Sequence, residues 1–136
     1  MTNIRNNFID SIGNTPLIKL NLPETEKCAS VWIKAESGNP TGSFKDRMAI
    51  SVIGNALARG DLSASKTVIE YTGDITESAL AFACASAGIK FLAVFSDAFS
   101  EVKLRTMEAM GAEVLTVPSY GKGITPELIQ EMKLLC

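Results

Sequence analysis

Lys45 lies in the run Asn39-Pro-Thr-Gly-Ser-Phe-Lys-Asp-Arg47, after a strand-like segment and at the opening of a helix-like one. Ser43, followed three residues later by Asp46, has the spacing of a capping box, with aspartate as a shorter substitute for the usual glutamate. That spacing predicts Lys45 in the first helical turn, at the positive end of the helix dipole, where an ammonium is disfavoured. A lysine so placed can act as an amine nucleophile and form a Schiff base with a carbonyl. The structural alternative is a solvated lysine beside Asp46, and spacing alone does not separate the two.

Other chemistry is narrowed by composition. Histidine is absent, which removes Ser-His and Cys-His nucleophile pairs and the commonest zinc ligand. Cys28, Cys84 and Cys136 are an odd number without metal-like spacing, so no metal site is expected. Cys84 falls in an apolar helical pattern and reads as a core residue, while Cys28 and Cys136 read as free thiols. Catalysis would have to rest on lysine, carboxylates, hydroxyls or a cofactor.

The elements that must position Lys45 are legible as alternating patterns. Residues 66–71 and 90–95 are apolar or β-branched runs that read as strands, the second apolar enough to be covered on both faces. Residues 112–117 read as a third strand. Helices are expected at 77–87, stopped by Gly88, at 100–110, and from Thr125-Pro-Glu to the end, where threonine caps and proline opens the helix. Earlier in the chain, residues 16–20 and 30–34 read as strands and residues 44–58 as a helix ended by Gly60. Short βαβ connections imply right-handed crossovers and a parallel sheet, an α/β fold.

A length of 136 residues suits one domain with a real core, divided here into N-terminal strands over 1–36 and an α/β part over 37–136. A formal charge of -2 shows no basic excess, so nucleic acid is not expected as a partner. The apolar stretches are too short to cross a bilayer, and the polar first residues lack a signal-peptide core; a cytoplasmic location is the expectation.

Three strings occur in the same order as in the cysteine synthase (O-acetylserine sulfhydrylase) family, which includes cystathionine β-synthase. They are Ile12-Gly-Asn-Thr-Pro-Leu-Ile-Lys-Leu20, the run from Asn39 to Arg47, and Met110-Gly-Ala-Glu-Val114. The chain resembles the N-terminal half of these fold-type II enzymes, which implies a three-layer αβα domain of the tryptophan synthase β-like fold. The resemblance implies pyridoxal phosphate as cofactor and Lys45 as the catalytic and cofactor-binding lysine. It further implies β-replacement: the cofactor takes up carbanion charge, the lysine shuttles the α-proton, and acetate leaves O-acetylserine before sulfide attacks.

Two departures from the family pattern bear on activity. Where the family has a Thr-Ser-Gly-Asn-Thr-Gly loop for the substrate carboxylate, this chain has Thr72, Gly73, Asp74, Ile75, Thr76 and Glu77. Ile75 cannot make the hydrogen bond of the family's asparagine to the cofactor ring. Asp74 and Glu77 form an internal capping pattern whose charge opposes a carboxylate ligand. The family's glycine-rich phosphate loop also has no counterpart, since Gly121-Lys-Gly123 reads as a turn. The chain is therefore expected to be truncated, to bind pyridoxal phosphate weakly or not at all, and to be weakly active or a pseudoenzyme. The alternative is a non-catalytic binding or regulatory domain with a protein partner. An N-terminal strand left without its family neighbour suggests a homo-oligomer.

Overall fold

The computed structural model describes residues 7–21, 29–71 and 75–136. Two short strands, β1 (Leu17–Lys19) and β2 (Trp32–Lys34), pair antiparallel with Ile18 opposite Ile33. The chain then passes through a 3-10 turn, Glu36–Gly38, into helix α1 (Lys45–Arg59). From there the order is β3 (Thr67–Tyr71), α2 (Ile75–Ala87), β4 (Lys90–Ser96), α3 (Glu101–Ala109), β5 (Glu113–Val117) and α4 (Pro126–Leu134). Strands β3, β4 and β5 form a parallel sheet in that order.

The central strand explains the layering. Along β4, Phe91, Ala93 and Phe95 are buried toward one face, and Val94 toward the other, as the two-residue period of a strand requires. The first face packs against Ala79, Ala83 and Cys84 of α2, and Ala49 and Ile53 of α1 and Met107 of α3 join the same core. On the opposite face, Val94 and Val117 meet Leu128 and Met132 of α4. A sheet covered on both sides by helices is the three-layer αβα arrangement expected from the sequence; its central strand β4 is buried accordingly, while β3 and β5 remain partly exposed.

Local signals place the helix ends. Gly60 adopts φ +77° at the end of α1, and the Asp61 N–H returns to the Ala56 carbonyl at 2.9 Å. The Thr125 side chain accepts a hydrogen bond from the Leu128 N–H at 3.2 Å, and Pro126 opens α4. Both ends lie where the sequence puts them.

The β1–β2 ribbon behaves differently. Trp32 alternates with its neighbours as a packing residue would, yet it is 52 % exposed, and Leu17, Ile18 and Ile33 are similarly open. The ribbon presents apolar side chains to solvent rather than to the core.

Candidate functional site

Lys45 is the first residue of α1, where its backbone N–H donates to the Ser43 hydroxyl at 3.0 Å. Its side chain is partly buried, with Nζ 5.1 Å from the centre of the Phe44 ring. The expected capping box is corrected by the structure. Phe44, not Ser43, is the cap residue and makes no side-chain cap. Asp46 turns away from Ser43, accepting from the Thr41 N–H at 2.8 Å and from the Thr41 hydroxyl. The physical reason is reach: the loop folds back so that Thr41 offers two donors to one carboxylate, and Asp46 is 1 % exposed there.

Behind this loop a second layer of polar contacts joins three separate parts of the chain. Arg47 forms a two-pronged pair with Glu36, Nε to Oε2 and Nη2 to Oε1, each at 3.0 Å. The acidic partner of Arg47 is thus Glu36, not the adjacent Asp46. Arg47 Nη2 also donates to Thr15 Oγ1 at 3.0 Å, and the Thr15 hydroxyl donates to Glu36 Oε1 at 2.8 Å. Arg47, Thr15, Asn39 and Lys34 together hold the Glu36 carboxyl far below its ordinary range, at about 2; the arginine is the largest cause. The Arg47 guanidinium is raised in return.

Gly13 completes the junction. Its N–H donates to Asn39 Oδ1 at 2.9 Å, and a Cβ there would stand 2.8 Å from Arg47 Nη1. With φ +89°, position 13 requires both a left-handed backbone and an absent side chain. The Gly13-Asn-Thr15 string and the lysine loop, far apart in sequence, are thus one structural unit. No local pattern in the chain signals this. The only hint was that both strings match the same family in the same order.

The substrate-loop candidates are divided. Thr72, Gly73 and Asp74 lie outside the described residues. Ile75 and Thr76 begin α2 and are partly buried, and Glu77 is fully buried in the first turn of that helix. Helices α1 and α2 pack against each other through Ala49, Ile53 and the α2 alanines, which places the two N-terminal regions on one side of the sheet. Gly121 and Gly123 take positive φ of 72° and 70° in a turn closed by Lys122 N–H to the Ser119 carbonyl at 3.1 Å. One polar contact nearby had no sequence signal: Asp97 accepts from the Ser119 N–H at 2.6 Å and joins the ends of β4 and β5. No group of histidine, cysteine and acidic side chains among the described residues is arranged to hold a metal ion.

The sequence profile of the pyridoxal-phosphate dependent enzyme family matches residues 9–134. O-ureido-L-serine synthase of Streptomyces lavendulae is 37% identical over 115 residues, 85% of this chain and 35% of that protein. A cysteine synthase of a Flavobacterium species is 40% identical over 113 residues, 82% of this chain and 36% of that protein. Among solved structures, the cysteine synthase of Entamoeba histolytica superposes with a TM-score of 0.85 at 30% identity, over 98% of this chain and 40% of that one. The chain therefore spans little more than a third of the curated relatives it matches.

Proposed function

Because the chain belongs to the pyridoxal-phosphate dependent enzyme family, we propose that it is a cysteine synthase-like protein in which Lys45 is the point of cofactor attachment. The observation that carries this reading is the setting of that lysine: a partly exposed amine at the head of α1, on a loop anchored by Asn39, Ser43 and Asp46. These residues suit the aldehyde end of the cofactor. When bound, pyridoxal phosphate supplies an electron sink for bond cleavage at an amino acid's α-carbon. Lys45 Nζ holds the group and then carries the α-proton. Asp46 and Ser43 fix the backbone from which that amine projects, and the Phe44 ring shelters it on one side.

The substrate side is weaker. Ile75 offers no hydrogen bond to a ring hydroxyl, and the acidic Glu77 lies in the first turn of α2, whose positive end would otherwise draw a substrate carboxylate. We read the family's β-replacement on O-acetylserine as much reduced or lost. The buried Glu77 also favours the second reading, a binding or regulatory domain that keeps the fold without turnover. The two are separated by adding O-acetylserine to the cofactor-treated chain. Combining Gly73→Ser, Asp74→Gly, Ile75→Asn and Glu77→Gly should produce or enlarge a shift in the visible spectrum. An unchanged response in a folded variant would remove the loop from the account.

A further inference from the structure

We propose that Asn39 is a positioning residue for the Lys45 amine, an assignment that rests on the reading of Lys45 given above. Asn39 is 4 % exposed, so its amide has little access to water and must find its partners in the protein. It finds four. Oδ1 accepts from the Gly13 N–H at 2.9 Å. Nδ2 lies within donating distance of the Glu36 carbonyl (3.0 Å), Glu36 Oε2 (2.8 Å) and the Ser43 carbonyl (2.9 Å). The Asn39 carbonyl also receives the Gly42 N–H at 2.8 Å, closing the turn in which Gly42 has φ +77°.

These bonds form a short path to the lysine. Asn39 Nδ2 fixes the Ser43 carbonyl, the Ser43 hydroxyl receives the Lys45 N–H, and Lys45 begins the helix. The same amide holds Gly13 through Oδ1 and Glu36 through Nδ2, and the Arg47 guanidinium locks Glu36 in place. One side chain therefore sets the lysine loop against both the N-terminal string and the turn before it. Aspartate at this position could still accept from Gly13. It would lose both donors and set a second anion against Glu36, whose carboxyl stays ionised far into acid.

The test is site-resolved lysine labelling of the full chain with two probes. The first is pyridoxal phosphate trapped by borohydride; the second is trace acetic anhydride, which has no resemblance to the cofactor. Peptide mapping gives the ratio of label on Lys45 to label on the exposed Lys122 and Lys133. Thr125→Ala, which removes the α4 cap far from the site, serves as a control for general loss of stability. Asn39→Ala and Asn39→Asp are expected to change the Lys45 ratio by about tenfold, within the roughly hundredfold that a misplacement of about 1 Å can cost, while Thr125→Ala leaves it at the wild-type value. Equal ratios in wild type and both Asn39 variants would overturn the proposal, as would an equal change in Thr125→Ala. If wild type shows no Lys45 preference for pyridoxal phosphate, the cofactor reading fails. The acetic anhydride ratio then decides the positioning role by itself.

Discussion

At the scale of single residues, Gly13 and Glu36 show how much of the site depends on contacts away from the lysine. Gly13 and Gly60 both have positive φ, +89° and +77°, so alanine at either position costs about 1–2 kcal/mol in backbone strain. At Gly60 the added Cβ meets open space, whereas at Gly13 it meets the paired Arg47 guanidinium. Gly13→Ala should therefore lower the urea midpoint more than Gly60→Ala; equal losses would show that the junction is loose. Glu36 gives a pH signature. A carboxylate depressed from 4.5 to about 2 in the folded chain contributes stability that is complete above its ordinary value and lost as pH falls toward 2. Urea titrations between pH 5 and 2 should show a steeper acid loss in wild type than in Glu36→Gln. Parallel pH profiles would remove Glu36 from the account.

At the scale of elements, most of the chain could be read from its residues. The strands of the parallel sheet and the four helices lie close to where hydrophobic runs, Gly60, Gly88 and the Thr125-Pro126 pair place them. Local signals sufficed because capping and glycine stops act within a few residues. The start of α1 departs from its local signal for the same reason: a Ser-x-x-Asp spacing is a local rule, and Thr41 takes up Asp46 across the loop. The Asn39 and Glu36 contacts to Gly13 and Thr15 span more than twenty residues, beyond the reach of any periodicity. Trp32 shows a further limit, since alternation identifies a strand but not what lies against it. The cap of α4 offers a direct check. Thr125→Ala should cost about 1 kcal/mol in equilibrium unfolding, and no measurable loss would mean that α4 is held by Leu128 and Met132 alone.

At the scale of the whole molecule, the core and the ribbon make opposite predictions about access. Cys84 is fully buried, and burial pushes its thiol up to about 11. Cys136 is exposed, its thiol raised by partial desolvation and by the charges of Glu70 and Glu77. A thiol reagent at pH 8 should modify Cys136 in the native chain and reach Cys84 only after denaturant is added; rapid native labelling of Cys84 would mean an open core. We propose the apolar β1–β2 ribbon, exposing Leu17, Ile18, Trp32 and Ile33, as the surface through which copies of the chain associate. Light scattering should report an oligomer, and Trp32→Lys should shift it toward monomer. No described helix is long and apolar enough to cross a membrane.

The central claim is that Lys45, on its anchored loop, is where pyridoxal phosphate attaches. The most direct measurement is the visible absorption spectrum of the chain mixed with the cofactor, compared between wild type and Lys45→Ala, with circular dichroism to show that both are folded. Wild type should show an added absorption that is missing from the alanine variant. Identical spectra for the two proteins would contradict it.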